Sequence, residues 1–148
     1  MARYVTTVRT PRRPDEAFTY MADLRNFAEW DPGVRAVEQI DGDGGGPRAS
    51  FDVTVAGIGR DLTLRYVTEE HDAPTRVLVE ARSSMFTSID LITVEPDGDG
   101  ALVTYDAELK LNGVLGIADP LLRPAFSRIG DRAAAGLREV LEGTTVHP

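Results

Sequence analysis

The sequence predicts an α+β domain: a curved antiparallel sheet of about seven strands around one long C-terminal helix, with two short helices after the first strand. Three observations carry this. Five closely spaced segments between residues 50 and 111 alternate apolar and polar side chains, with turn residues between them. One apolar stripe of helical period runs from Ala118 to Leu141. The remaining helical pattern is confined to the stretch after the first strand.

YVTTV, near the start, has strand composition, and Pro11 and Pro14 end it. From Pro14, Ala17, Phe18, Met21 and Ala22 share one helix face, and Asp15 and Glu16 suit the positive end of the helix dipole. A second short helix holds Leu24, Phe27 and Trp30 and stops at Asp31-Pro32-Gly33. A strand over Val34 to Ile40 follows, then DGDGGGP at 41–47, a hairpin loop by composition. That loop lacks the lysine and following helix of a phosphate cradle. Phe51, Val53 and Val55 alternate with Ser50, Asp52 and Thr54, and Gly57 and Gly59 mark a turn. Leu62, Leu64 and Tyr66 form the next apolar face, and residues 71–75 turn again. Val77, Val79 and Ala81 follow, then strands over Met85–Glu95 and Ala101–Leu111 around PDGDG. Such spacing implies an antiparallel meander. The final stripe is Ala118, Leu122, Ala125, Phe126, Ile129, Ala133, Leu137, Val140 and Leu141, with Gly143 as the stop. Residues 1–143 are expected to form a single domain and 144–148 a flexible tail.

The 148 residues suit one domain with a real core. Net charge is −8, from 24 acidic against 16 basic residues, which argues against a nucleic-acid partner. There is no cysteine, so thiolate catalysis and disulfides are excluded. The two histidines, His71 in an apparent turn and His147 beside the C-terminus, offer no metal site and no Ser-His-Asp arrangement. No cofactor is expected. The N-terminal residues have no apolar core of a signal peptide, and no run nears the about 20 apolar residues that span a bilayer. The expectation is a cytoplasmic protein without integral membrane association.

Three stretches, TPRRPDEAFTYMADLRNFAEWDPGV at 10–34, ITVEPDGDGALVTYDAEL at 92–109 and GVLGIADPLL at 113–122, together with the strand order, resemble the START-like, helix-grip (SRPBCC) superfamily. The likeness is to its polyketide cyclase/dehydrase branch of small bacterial proteins. It covers nearly the whole chain and rests on order, spacing and turn positions. It implies a deep hydrophobic cavity between sheet and helix. Members of the family bind lipids, sterols, quinones, plant hormones or polyketides, and some are aromatases or cyclases. The family does not by itself establish catalysis.

Strand parity assigns side chains to the cavity, because the two faces of a strand alternate. Pairing Tyr66 with Val79 sets Arg65 opposite Glu80 and Glu69 opposite Arg76, and turns Arg65 and Arg82 to solvent. A tight turn at Ser83-Ser84 pairs Arg82 with Met85, and Phe86, Ser88, Asp90, Ile92 and Val94 then point inward. Pairing Glu95 with Gly100 independently sets Ile92 beside Val103 and Asp90 beside Tyr105. Ile89 and Leu91 then join Val67 and Leu78 in an outer apolar patch, a surface for a homodimer or a docked partner. A one-residue bulge at Ser83-Ser84 reverses the assignment and puts Asp90 in water.

An inward Asp90 has two roles open to it. It is a polar anchor hydrogen-bonded to Tyr105 and Ser88, or a general acid or base whose pKa is raised by apolar walls, with Tyr105 as donor. The ligand-binding set is Trp30, Phe51, Val53, Leu64, Tyr66, Val79, Phe86, Ser88, Ile92, Val103, Leu122, Phe126 and Ile129. The expected partner is a small hydrophobic or amphipathic molecule. Asp119 and Pro120 suit the N-cap and first position of the final helix, Pro124 bends it, and residues 113–124 are a candidate movable rim.

Overall fold

The computed structural model describes residues 2–57, 59–112 and 119–146, with the side chains of 119–122 excepted. The elements in order are β1 (Ala2–Thr10), α1 (Pro14–Ala22), a 3₁₀ turn (Leu24–Asn26), α2 (Phe27–Trp30), β2 (Val34–Asp41), β3 (Ser50–Ala56), β4 (Asp61–Asp72), β5 (Arg76–Arg82), β6 (Phe86–Asp97), β7 (Gly100–Leu111), α3 (Asp119–Val140) and β8 (Thr144–Thr145). All strands join one antiparallel sheet in the order β2-β3-β4-β5-β6-β7-β1-β8. The consecutive hairpins give the meander, and β1 adds beside β7 with Thr6 opposite Tyr105 and Val8 opposite Val103. This is the helix-grip fold that the strand order implies.

Local chemistry accounts for the ends of the elements. Pro14 occupies the first turn of α1, where a missing amide hydrogen costs nothing, and Asp15 and Glu16 follow it. Ala17, Phe18, Met21 and Ala22 are buried on one face. Asp31 ends α2 and accepts the Gly33 amide at 2.9 Å. The 41–47 loop joins β2 to β3, and the Gln39 side chain clamps it through both the amide and the carbonyl of Gly44.

The registers differ from the sequence expectation in an instructive way. Tyr66 lies opposite Ala81 rather than Val79, Ala81 opposite Ser88 rather than Phe86, and Ile92 opposite Tyr105 rather than Val103. Each of these shifts is two residues, so the side chains of these pairs keep their faces. The cause at β5–β6 is a wider turn: Ser83 donates its amide to the Phe86 carbonyl at 2.9 Å, making a four-residue loop. In β4 the pairing passes from Thr68–Val79 to Glu70–Leu78, leaving Glu69 as a bulge. The bulge returns His71 to the inner face, on the strand rather than in the turn, where its ring meets Phe18 edge-on at 5.3 Å.

The proposed cross-strand ion pairs change partner accordingly. Arg65 bridges Asp52 at 2.9 Å, Arg76 bridges Glu70 at 3.0 Å and Arg82 bridges its strand neighbour Glu80 at 2.7 Å. Arg65 and Arg82 do face solvent. Val67, Leu78, Ile89 and Leu91 are half-buried on the outer face.

Two expectations at the C-terminus are corrected. Residues 144–146 do not fray: Thr145 pairs with Val8, Thr144 with Arg9, and the Val146 amide donates to the Thr7 carbonyl. The open edge of β1 supplies the partners. His147 and Pro148 lie outside the described residues. The helix stop uses Glu142, not Gly143, in the left-handed conformation (φ 53°), with the Gly143 amide closing onto the Arg138 carbonyl at 2.8 Å. Gly143 is required for space instead, since a Cβ there would overlap the Arg9 carbonyl.

Helix α3 reaches the rest of the molecule through small residues. A Cβ at Gly130 would collide with the Tyr4 ring, and one at Gly136 with the Trp30 carbonyl. Gly130, Ala133, Ala134 and Leu137 are its buried positions among the described residues, and Leu141 just past its end is buried too. Among the described residues, no helix is long and apolar enough to cross a membrane.

Candidate functional site

The inner face of the sheet is organised in cross-strand rows. One row runs Val94–Val103–Val8, and the next Val77–Ile92–Tyr105–Thr6. Then follow Thr68–Val79–Asp90–Ala107–Tyr4 and Phe51–Tyr66–Ala81–Ser88–Leu109–Ala2. The first two are almost wholly apolar apart from the Tyr105 and Thr6 hydroxyls. The last two bring in a carboxyl and further hydroxyls.

Asp90 is 4% exposed and thus lies on the inner face, not in water. Tyr105 donates its hydroxyl to Asp90 Oδ2 at 3.1 Å across a diagonal pair. On the neighbouring row, the Tyr66 hydroxyl and Ser88 Oγ share a hydrogen bond of 2.6 Å. Trp30, at the end of α2, sets its ring edge-on to Tyr105 with centroids 5.2 Å apart, and Phe27 does the same at 6.2 Å. Among the described residues, Trp30 Nε1 and Thr68 Oγ1 are buried without a hydrogen-bond partner, as is Arg12 Nε away from this site. Unpaired polar atoms are costly in a dry interior.

Electrostatics follow from burial. Loss of water raises the Asp90 carboxyl to about 7, against the hydrogen bond from Tyr105, which lowers it, and with Asp31 and Asp106 adding to the rise. Burial likewise raises Tyr66 and Tyr105, and the Asp90 charge adds to both. Asp31, held by the Gly33 amide, is itself raised by burial. A carboxyl poised near neutrality can be a donor, an acceptor or a proton carrier.

Asp31 enters this electrostatic group unannounced by the sequence, where Asp-Pro-Gly signals only a helix end. The bulge that seats Thr68 on the Asp90 row carries no glycine, and its one signal is the adjacent pair Glu69-Glu70, which breaks the alternation.

The anticipated residues divide. Trp30, Tyr66, Ser88, Asp90 and Tyr105 are brought together as described. Phe51, Val53 and Val79 are buried on the same face, and Leu64 and Phe86 are half-buried beside them. Ile92 and Val103 are 0% exposed in the valine-rich rows. Phe126 is half-buried on α3. Ile129 does not belong to an enclosed site: it is 47% exposed. At about 100° per residue it lies off the line of the buried Gly130, Ala134 and Leu137. Leu122 lies outside the described side chains, and so does most of the expected rim at 113–124. No group of three or more metal-ligating side chains occurs among the described residues.

Three solved structures show the breadth of the fold. A START superfamily protein from Mycobacterium smegmatis superposes with a TM-score of 0.76 at 13% identity, over 96% of this chain and 98% of that one. TTHA0849 from Thermus thermophilus gives 0.72 at 17% identity, over 95% and 94%. The di-domain ARO/CYC StfQ from the steffimycin biosynthetic pathway gives 0.68 at 15% identity, with 95% of this chain matching 50% of that one. At these identities the likeness concerns the fold. No curated protein matches the sequence. The family described as polyketide cyclase / dehydrase and lipid transport matches residues 1–142, and the chain belongs to it.

Proposed function

We propose that this protein binds a small hydrophobic or amphipathic molecule between the inner sheet face and α3, with Asp90, Tyr105, Tyr66 and Ser88 as its polar anchors. One observation carries the reading. A carboxyl and three hydroxyls are buried on a mostly apolar face, and two further polar atoms beside them, Trp30 Nε1 and Thr68 Oγ1, have no partner among the described residues. A face built only for stability would do better with aliphatic side chains of similar volume. Native mass spectrometry of the purified protein tests this. A co-purified small molecule lost on denaturation is the expected result. A bare mass, together with no uptake of any neutral aromatic or aliphatic probe, would count against it.

A second reading is favoured by the Asp90 carboxyl at about 7. In it Asp90 moves a proton α to a carbonyl of the bound molecule, with Tyr105 donating a hydrogen bond, as in a cyclase, aromatase or dehydratase. Once a substrate is in hand, Asp90→Asn is expected to lower turnover by about 10²-fold or more, the scale of general acid–base catalysis. Undiminished turnover would remove Asp90 from the chemistry and leave binding alone.

A further inference from the structure

The groups that act on Asp90 from β7, β4 and the end of α2 are Tyr105, Asp106, Tyr66 and Asp31: two carboxyls and two phenols. On β1, Tyr4 shares its row and gives its hydroxyl to Asp131 at 2.8 Å. Asp106 points to the other face of β7 and is paired there with Arg3 at 2.7 Å. Among the described residues no cation pairs with Asp90 or Asp31. Fourteen of the sixteen basic residues, all but Arg12 and Arg138, are exposed. Arg12 is engaged with the Val140 carbonyl and Arg138 with Thr145 Oγ1, both at the far end of α3. His71 is packed on Phe18. Residues 113–122, whose side chains are not described, include no Lys, Arg or His.

A buried site whose ionisable groups are carboxyls and neutral phenols, with no counter-ion among the described residues, repels a second negative charge once Asp90 is ionised, and low dielectric magnifies the repulsion. The unpartnered Trp30 Nε1 is a donor, and Thr68 Oγ1 is a donor or acceptor. They suit an uncharged oxygen. Resting on the ligand-binding reading above, we infer that the site selects an uncharged ring or chain compound carrying a phenol, alcohol or ketone oxygen, and excludes carboxylates and phosphates. A fatty acid or a phosphorylated intermediate is thereby ruled out as the molecule held at Asp90.

Trp30 is the single tryptophan of the chain and borders the site, so its fluorescence reports occupancy. The full-length protein is titrated with two matched pairs, 2-naphthol against 2-naphthoate and 1-decanol against decanoate, with calorimetry as a second readout. At about pH 8, above the Asp90 value of about 7, the neutral member of a pair is expected to bind at least about tenfold more tightly. Asp90→Asn is expected to narrow that gap several-fold. Should the variant not fold, the wild-type protein at about pH 6 supplies the same comparison, because Asp90 is then protonated while both carboxylates remain ionised. An anion bound as tightly as its neutral partner overturns this inference and leaves the ligand-binding reading standing. A gap that neither the variant nor the lower pH narrows overturns it too. If none of the four probes binds, the ligand-binding reading fails, and this inference with it.

Discussion

The two ends of the inner sheet face are made from the same strands and are built on opposite principles. At one end Val8, Val77, Val94 and Val103 meet Phe18 and Met21 from α1, Leu137 from α3 and Leu141 just past its end, in one continuous buried cluster. Six of these eight side chains are aliphatic and none carries a charge. Further along the sheet, Asp90, Ser88, Tyr66 and Thr68 replace the aliphatics, with their polar atoms buried. On the ligand-binding reading proposed above, the difference separates what holds the fold from what binds. The valine-rich end closes tightly, and dispersion and loss of apolar surface from water stabilise it. The polar end retains a carboxyl whose desolvation opposes folding.

The largest expected effect breaks the valine-rich end. Leu137 is 0% exposed. Leu137→Ala removes its methyl groups and leaves a cavity, a loss of about 2–5 kcal/mol. Thermal unfolding followed by circular dichroism is expected to shift down by roughly 5–15 °C. At temperatures where the variant is folded, its probe binding should match the wild type. A binding loss as large as the stability loss would show that the two ends are not separable.

The next effect comes from the polar end and has the opposite sign. The Asp90 carboxyl is raised to about 7 in the fold, against about 3.9 for an unfolded chain. The folded state therefore holds the proton more firmly, and between these values it binds more protons than the unfolded state. Stability is then highest at or below the unfolded pKa and is lost as pH rises from about 4 to about 7, beyond which the loss is complete. The total is on the order of a few kcal/mol. Asp90→Asn, which still accepts the Tyr105 hydroxyl, is expected to remove this slope and to be the more stable protein at about pH 8. Denaturant melts at several pH values check it. A variant less stable than wild type at about pH 8 would mean that the ionised carboxylate is needed to hold the fold.

How far this contrast was legible in the sequence depends on what each part of it rests on. Alternation placed Asp90, Ser88 and Tyr105 on the inner face although the hairpin registers were offset, because an offset of two residues preserves parity. The true turn at Ser83–Phe86 is two residues wider than a tight turn, and nothing in Ser-Ser-Met selects between them. Ile129 was misplaced because an apolar stripe favours large side chains, whereas α3 is seated by Gly130 and Gly136, where the partner backbone or ring comes too close for a Cβ. Small residues carry no hydrophobic signal. Asp31 needed three-dimensional proximity to Asp90, which is distant from it in the chain, and no local pattern encodes that.

The smallest expected effect sharpens the comparison most finely. Tyr66 and Ser88 bond to each other across two strands, at 2.6 Å in a buried setting. Removing one partner leaves the other buried and unpaired, so Tyr66→Phe or Ser88→Ala alone should cost about 1–3 kcal/mol. Removing both leaves no orphan. The double variant is expected to return to within about 1 kcal/mol of wild type, a coupling that a double-mutant cycle reads directly. If the pair is kept for a ligand, the double variant should still lose affinity for 2-naphthol by about tenfold, since a ligand oxygen would find no hydroxyl there. Near-native stability with weakened binding would assign these hydroxyls to the ligand. Near-native stability with unchanged binding would move the anchor to Asp90 and Tyr105 alone. A double variant as unstable as the singles would place the pair with the valines, as part of what holds the sheet together.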